Sequence, residues 1–323
     1  MLTDGAGRHI EYLRLSVTDR CDLRCSYCIP EGFKDYEEPE HWLSFNEIER
    51  LLSVFARLGL KRVRLTGGEP LLRRGLPDLA RRLAALPGIK DLSLSTNGTK
   101  LARYAAELKR SGISRLNVSL DSLNPARVEA ISKRDVLAQV LTGLEAARNE
   151  GFHQIKINMV AMADLHDDDV DAMVAYCIRN GFILRLIETM PIGATGRSAG
   201  YADLRPTQER MRARFGLVDG IVSGGGPARY LVSTDGRFQI GFITPMSQHF
   251  CETCNRVRLS VDGILYLCLG QEDTVDFRSL LRAGCSDADI ETALIDGLNR
   301  KPLRHEFRER PEQIIRIMAS TGG

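Results

Sequence analysis

The sequence predicts an α/β fold, an incomplete (β/α)6 barrel of the TIM type followed by a smaller C-terminal α+β module. The first observation is that short apolar runs alternate with longer helix-like stretches, which is typical of a parallel sheet covered by helices. The second is that these units number six, whereas a closed barrel of this type needs eight. The third is that the pattern changes after about Gly193, where Gly, Ala, Ser and Arg dominate.

The six strand candidates are short and apolar, and five longer stretches between them have helical periodicity. The strand candidates are residues 12–17, 62–65, 91–95, 115–120, 155–160 and 183–187, and the helix candidates are 44–58, 76–86, 101–110, 136–150 and 168–178. In the first helix candidate, Ser44 is followed three residues later by Glu47, which matches a capping box and predicts where that helix begins. Functional groups in such sheets collect at the carboxyl ends of the strands, so we expect the site there.

The C-terminal part contains shorter strand candidates at residues 230–233, 238–243, 257–261 and 264–268. Asp262-Gly263, between the last two, is typical of a tight hairpin turn. Typical domains hold about 100–200 residues. We therefore predict two domains, the partial barrel over residues 1–195 and the smaller module over residues 196–323.

Composition excludes several functional classes. The 323 residues are 43% apolar and 27% charged, with 44 basic and 42 acidic side chains and a net charge of +2. This near balance does not predict broad nucleic-acid or membrane binding, although a local basic pocket for a small anion remains compatible with it. The sequence contains neither a secretory signal pattern nor an apolar run long enough to span a membrane, so we expect a cytoplasmic protein.

Three cysteines, Cys21, Cys25 and Cys28, follow the first strand candidate immediately. Clustered cysteines in a reducing compartment indicate metal binding more than disulfides, and thiolates are the ligands that iron–sulfur clusters need. Three ligands leave one iron of a four-iron cluster open to a small molecule. Structural zinc would need a fourth ligand that the local sequence does not supply.

A second triad, Cys251, Cys254 and Cys268, flanks the predicted hairpin, whose return would bring the three thiols together. His249 could complete a zinc site here. Beside the first triad, a second cluster with its own open iron is the preferred interpretation. Cys177 and Cys285 stand apart and are interpreted as inert thiols.

Arg256 and Arg258 lie between the cysteines of the second triad and alternate along a strand candidate, so both point to one face. Two neighbouring guanidinium groups repel each other unless an anion lies between them, and phosphate suits their forked donors. The alternative is a pair of solvated surface arginines.

The C-x3-C-x2-C spacing, with an aromatic residue before the last cysteine, resembles the radical S-adenosylmethionine superfamily, as does Gly67-Gly68-Glu69-Pro70 after the second strand candidate. Glycines there would let the backbone approach a ligand closely. The resemblance implies a 4Fe–4S cluster on the first triad and S-adenosylmethionine contacts at Tyr27, Gly68, Ser119 and Met190. Without this resemblance, Met190 would be interpreted as a methionine of the hydrophobic core.

The whole length, from the segment 13–20 through Cys254-Asn255-Arg256 to the terminal Gly322-Gly323, resembles the GTP 3′,8-cyclase family of molybdenum cofactor biosynthesis. The resemblance implies a second 4Fe–4S cluster and an active-site role for Arg185, Gly322 and Gly323. It further implies GTP contacts at Arg14, Arg64, Ser95, Lys156, Arg256, Val257 and Arg258. Cations inside a barrel are costly unless they meet an anion, which a triphosphate would supply. Ser95 replaces the usual threonine of the family but keeps the hydroxyl.

The expected reaction converts GTP to (8S)-3′,8-cyclo-7,8-dihydroguanosine 5′-triphosphate by radical chemistry that starts from S-adenosylmethionine. The resemblance also implies an external one-electron donor and a following enzyme, cyclic pyranopterin monophosphate synthase, that consumes the product. The sequence leaves the oligomeric state open, a homodimer included. Two alternatives remain: a radical enzyme with an auxiliary cluster that matures peptides, and a non-enzymatic zinc-binding scaffold.

Overall fold

A computed structural model describes residues 1–30, 39–222 and 225–322, and twelve strands in these ranges form one sheet. The strands are β1 (Tyr12–Ser16), β2 (Arg62–Thr66), β3 (Asp91–Thr96), β4 (Arg115–Ser119), β5 (Ile155–Ala161), β6 (Ile183–Glu188), β7 (Val218–Gly220), β8 (Arg229–Val232), β9 (Gln239–Ile243), β10 (Arg256–Leu259), β11 (Ile264–Tyr266) and β12 (Thr274–Asp276). Their order is β12-β11-β10-β1-β2-β3-β4-β5-β6-β9-β8-β7. Strands β1 to β6 coincide with the six predicted runs, so the α/β prediction of a partial barrel-like sheet is confirmed.

The parallel part of the sheet is wider than the six strands expected from the sequence. Strand β10 pairs in parallel with β1, and β9 pairs in parallel with β6, so strands from the C-terminal segment extend both edges. Beyond them, the antiparallel strands β11, β12, β8 and β7 complete the sheet. The predicted boundary at residues 195 and 196 therefore divides a chain whose two segments share one sheet, and it stays a prediction.

Eleven helices surround the described sheet. They are α1 (Phe45–Leu58), α2 (Leu76–Ala84), α3 (Leu101–Arg110), α4 (Pro125–Ser132), α5 (Leu137–Asn149), α6 (Asp167–Asn180), α7 (Gly193–Ser198), α8 (Leu204–Phe215), α9 (Phe277–Arg282), α10 (Asp287–Asn299) and α11 (Met318–Thr321). The capping box is confirmed, because the Ser44 hydroxyl accepts from the Glu47 amide at 3.2 Å and the Glu47 carboxylate accepts from the Ser44 amide at 2.7 Å. None of these helices is long and apolar enough to cross a membrane.

The core lies between the helices and the outer face of the sheet. Helix α1 buries Leu51, Leu52 and Phe55 on this side, and each such side chain contributes roughly 1.5–3 kcal/mol of burial free energy. Phe55 meets Phe277 of α9 edge to face, with ring centroids 5.4 Å apart. This contact packs an N-terminal helix against the C-terminal segment. The opposite face of the sheet carries the polar side chains that form the site.

Candidate active site

The inner face of the parallel strands encloses a cavity of about 260 Å³ that both cysteine triads line. Side chains alternate along each strand, so every second residue points into it. The predicted site residues that line it are Arg14, Cys21, Cys25, Tyr27, Cys28, Arg64, Gly68, Ser95, Ser119, Arg185, Met190, Cys251, Cys254, Arg256, Val257, Arg258 and Cys268. The side chain of Val257 packs in the core, so this residue presents backbone to the cavity.

Two further predicted residues, Lys156 and Gly322, are not among the described residues that line the cavity. Lys156 is buried, and its ammonium donates to the Tyr230 hydroxyl at 3.4 Å. The Gly322 carbonyl accepts a hydrogen bond from the Arg258 guanidinium. Gly323 lies outside the described residues.

The loop that carries the first triad follows β1 and is held by α4, a helix that the sequence analysis did not include. The amides of Arg24 and Ser26 donate to carbonyls at the end of this helix, each at 3.0 Å. Burial, with a contribution from the Asp121 carboxylate, raises the pKa of the Cys28 thiol to about 12. Such thiols stay neutral in an apolar pocket, whereas a bound metal displaces the proton and stabilises the thiolate. These three cysteines are half-buried, line one cavity and interact electrostatically with one another, which suits a cluster of several irons better than a single metal ion.

The glycines after β2 serve a contact that differs from the one expected. A Cβ on Gly68 would lie 2.2 Å from the Arg20 carbonyl oxygen, and one on Gly67 would lie 2.2 Å from that of Thr18. These glycines therefore let the β2 loop pack directly on the loop of the first triad. The buried carboxylate of Glu69 accepts from the Thr96 hydroxyl at 2.8 Å, which adds the loop after β3 to the same assembly.

The second triad is assembled by the β10–β11 hairpin, as predicted. The turn places Gly263 at φ 84°, and Cys268 follows the returning strand. Burial would raise the pKa of the Cys254 thiol, but the charges of Lys301 and Arg256 outweigh it and lower this pKa. The cationic neighbourhood thus favours a thiolate at Cys254, whereas burial raises the pKa of the Cys251 and Cys268 thiols.

His249 does not join the second triad. Its side chain is 49% exposed and pairs with Glu252 at 3.4 Å, and it is absent from the described lining of the cavity. Across the described ranges, no group of three or more His, Cys, Asp or Glu side chains is placed to hold one metal ion.

A row of three arginines crosses the sheet at the centre of the cavity. Arg14 of β1 lies in register with Arg258 of β10 on one side and Arg64 of β2 on the other. Burial and the charges of Arg258 and Arg64 lower the pKa of Arg14 well below its ordinary value. Within the described residues, no carboxylate lies within ion-pair distance of these three guanidinium groups. Among the described residues, the row is therefore a cationic surface without a carboxylate partner, which suits an anion site.

Several polar atoms around this row lack partners. The buried Nε atoms of Arg14, Arg64 and Arg256 and the buried hydroxyl of Ser95 have no hydrogen-bond acceptor or donor among the described residues. Buried polar groups are almost always satisfied in proteins. The pattern therefore indicates a polyanionic ligand with several acceptor oxygens.

Arg185 also lines the cavity, and two uncharged carboxamides hold its side chain. Its guanidinium donates to the carboxamide oxygens of Asn158, at 2.9 Å, and Asn117. Burial and the charge of Arg64 lower its pKa to about 10. Two amides orient this guanidinium without cancelling its charge.

Four residues of the site were missed by sequence reasoning. The Arg64 guanidinium lies over the Tyr12 ring, 5.4 Å from the ring centroid. Tyr12 is two residues before Arg14 on β1, so side-chain alternation could have predicted that both line the cavity. The Asn97 carboxamide donates to the Cys21 sulfur at 3.8 Å. The sequence analysis named only Ser95, two residues earlier, as a site residue in this segment. No local signal marks Lys301, which lines the cavity beside the second triad, or Tyr230, which contacts Lys156.

Two family models match the chain in succession. The model described as Radical SAM superfamily matches residues 15–177, and the model described as Molybdenum Cofactor Synthesis C matches residues 182–307. Together they include both triads.

Full-length relatives carry one consistent name. The chain is 45% identical over 325 residues to GTP 3′,8-cyclase 1 of Pseudomonas aeruginosa, covering 99% of the chain and 98% of that protein. It is 42% identical over 332 residues to GTP 3′,8-cyclase of Hydrogenovibrio crunogenus, covering 100% of the chain and 99% of that protein.

Among solved structures, the chain resembles Streptococcus suis SuiB bound to S-adenosylmethionine. The TM-score is 0.61 at 16% identity, and the match covers 91% of this chain and 65% of SuiB, so the chain spans about two thirds of that protein. At this identity the likeness shows a shared fold and no more.

Proposed function

The chain belongs to the GTP 3′,8-cyclase family of the radical S-adenosylmethionine superfamily, and from this we propose that it converts GTP to (8S)-3′,8-cyclo-7,8-dihydroguanosine 5′-triphosphate, the first step of molybdenum cofactor biosynthesis. The observation that carries the proposal is the row of buried arginines, Arg258, Arg14 and Arg64, in one cavity with two cysteine triads. A nucleoside triphosphate supplies the negative charge that the row lacks.

The first triad is the proposed ligand set of a 4Fe–4S cluster, with the open iron available to S-adenosylmethionine. When both are bound, the reduced cluster and S-adenosylmethionine supply a 5′-deoxyadenosyl radical. The chain contributes binding and orientation. The four cofactor-contacting residues in this proposal, Tyr27, Gly68, Ser119 and Met190, line the same cavity.

The nucleotide is held mainly by cations. Arg14, Arg64, Arg256 and Arg258 would donate to the triphosphate, with Ser95, Val257 and Lys156 adding contacts and Arg185 facing the reacting ribose. Charge-assisted bonds from arginine to phosphate are about twice as strong as neutral ones. Because these side chains are buried and already oriented, little reorganisation is needed when the nucleotide enters.

The second triad is the proposed ligand set of another 4Fe–4S cluster, held by the C-terminal module of residues 196–323. Its open iron would coordinate the guanine base, and the charges of Lys301 and Arg256 favour the thiolate of Cys254. The base and the triphosphate would then be held at two separate points, which orients the ribose between them.

The remaining parts of the proposal concern the tail and partners. Gly322 and Gly323 would help to position the nucleotide, since Gly322 contacts Arg258. An external one-electron donor is needed to reduce the clusters, and cyclic pyranopterin monophosphate synthase would receive the product. A homodimer is compatible with the proposal.

The peptide-maturing alternative finds less support. A peptide substrate would not require a row of arginines without acidic partners among the described residues. SuiB has been solved with a precursor peptide, but at 16% identity the likeness to it shows only a shared fold. The zinc scaffold finds little support as well, because His249 lies away from the cavity.

The test is anaerobic incubation of the reconstituted protein with GTP, S-adenosylmethionine and dithionite. We expect 5′-deoxyadenosine to form together with the cyclised nucleotide and only when GTP is present. Cys25→Ser and Cys268→Ser should each lower the iron content from about eight to about four atoms per chain, whereas Cys177→Ser, a buried cysteine of α6, should not. Formation of 5′-deoxyadenosine without GTP would make the substrate assignment wrong, and colourless protein containing zinc would favour the scaffold.

A further inference from the structure

Three residues on neighbouring strands form an unusual arrangement at one edge of the parallel sheet. Arg185 of β6 lies in register with Gly241 of β9, and Gly241 lies in register with Tyr230 of β8. A Cβ on Gly241 would lie 2.8 Å from Cε1 of Tyr230 and 3.1 Å from Cγ of Arg185. The missing side chain at Gly241 therefore leaves the space through which the Tyr230 ring reaches over β9 toward the interior.

The Tyr230 ring ends at two cations. The Lys156 ammonium donates to its hydroxyl at 3.4 Å and lies 5.6 Å from its ring centroid. Tyr230 also opposes the lowering of the Arg185 pKa that burial causes. Tyr230 itself is 9% exposed, so these contacts lie within the protein.

The surroundings of Lys156 are predominantly cationic. Burial and the charges of Arg185, Arg115 and Arg64 lower the pKa of Lys156 to about 7, and Asp91 acts in the opposite direction. Adjacent buried cations repel each other, so a contact that holds Lys156 opposes this repulsion. The Tyr230 hydroxyl and aromatic face provide such a contact and add no negative charge to the site.

We propose that Tyr230, reaching across Gly241, is a positioning residue that holds Lys156 in place for the phosphates of the nucleotide. The inference rests on the proposed function, since it takes GTP as the ligand. It adds a residue from the antiparallel strand β8 to a nucleotide site whose cations lie on the parallel strands. Tyr230 acts through Lys156 and needs no contact with the nucleotide.

The test compares affinities for GTP and for guanosine, which lacks phosphates, in anaerobically reconstituted protein containing S-adenosylmethionine. Tyr230→Phe keeps the ring and removes the hydroxyl, and we expect it to weaken GTP binding about fivefold. Gly241→Ala displaces the whole ring and should weaken it further. Guanosine affinity, measured by displacement of GTP, should stay unchanged in Tyr230→Phe.

A double-mutant cycle shows whether Tyr230 works through Lys156. In a Lys156→Met background, Tyr230→Phe should cause less than a twofold further loss, because the side chain it orients is gone. Tyr176→Phe is the matched control: this tyrosine lies on α6 against Phe182, with ring centroids 5.9 Å apart, and should leave both affinities unchanged.

Each other outcome has a defined meaning. An equal loss of GTP and guanosine affinity, with a lower melting temperature or lost iron, would show a structural role and overturn the inference. Additive effects in the cycle, or unchanged GTP binding in Tyr230→Phe, would overturn it too. If the unaltered protein failed to bind GTP, the proposed function would fall as well, and this result is separate from any effect of the variants.

Discussion

The guanidinium of Arg258 donates a hydrogen bond to the backbone carbonyl of Gly322, so the C-terminal tail reaches the arginine row at the centre of the sheet. The α-carbon of Gly322 packs on the side chain of Thr66, where a Cβ would lie 2.2 Å from Cγ2, and its φ of 74° favours glycine. A carbonyl is a neutral acceptor, so this contact by itself does not cancel the charge of Arg258. A triphosphate would therefore share this guanidinium with the tail.

The tail contact leads to the first prediction. Gly322→Ala should displace the tail from Thr66 and lower the rate of GTP cyclisation about tenfold, since a clash with a strained φ costs on the order of 1–3 kcal/mol. Iron content and S-adenosylmethionine binding should not change. Ser320→Ala, on the short helix α11 that precedes Gly322, is the control and should retain its activity. A fully active Gly322→Ala would show that the tail position does not matter for turnover.

The arginine row leads to a second prediction, in which function and stability oppose each other. Arg14→Met removes the middle charge of three that repel one another, and replacing unpaired buried charge by apolar volume is often stabilising by about 1–4 kcal/mol. We expect the ligand-free protein to melt roughly 2–6 °C higher and to bind GTP at least tenfold more weakly.

The control for the row is Arg81→Met on α2, where the arginine forms an exposed pair with Asp78 at 2.7 Å. Exposed pairs contribute little, so melting temperature and GTP affinity should both stay near their original values. A destabilised Arg14→Met variant would mean that the row is neutralised from within the chain. Scanning calorimetry and equilibrium GTP binding measure the two effects.

A third prediction concerns the first cluster. The Asn97 carboxamide donates to the Cys21 sulfur at 3.8 Å, and hydrogen bonds to ligand sulfurs stabilise the reduced cluster. Asn97→Ala should make the reduction potential more negative, as followed by electron paramagnetic resonance during a redox titration. Thr99→Val removes 2.8 Å bonds to Asp22 and to the Asn97 carboxamide oxygen without touching sulfur, and its potential should shift much less. Equal shifts in both variants would assign the effect to loop packing.

A fourth prediction follows from the pKa of Lys156, which burial and the charges of Arg185, Arg115 and Arg64 lower to about 7. Lys156 therefore gains its charge as pH falls through this value, and GTP affinity should rise between about pH 8.5 and pH 6. Lys156→Met should remove that rise and leave only the titration of the nucleotide itself. A pH profile identical in both proteins would contradict a phosphate contact by Lys156.

The same lowered pKa affects stability with the opposite sign. Between about pH 7 and pH 10, the unfolded chain binds the Lys156 proton and the folded chain does not, so this group makes the ligand-free protein more stable as pH rises. Denaturant titrations of the original protein and Lys156→Met measure its contribution as a difference.

Local sequence patterns determined the six β/α units, the capping box at Ser44, the β10–β11 hairpin and the two cysteine triads. Each depends on residues close together in the chain, where periodicity, turn chemistry and ligand spacing act directly. The pairing of Arg256 and Arg258 on one face was also predicted from alternation, and both line the cavity.

Only the tertiary structure decided which strands flank β1 and β6. The backbone groups that pair at a strand edge are the same in every strand, so local sequence does not specify the neighbouring strand. Strand β10 follows β1 by about 240 residues, yet their register brings Arg258 beside Arg14 and creates the arginine row. The same holds for Tyr230, whose reach depends on the missing side chain of Gly241 in the next strand. The sequence thus determined which chemical groups the protein has, and long-range strand register decided which of them meet.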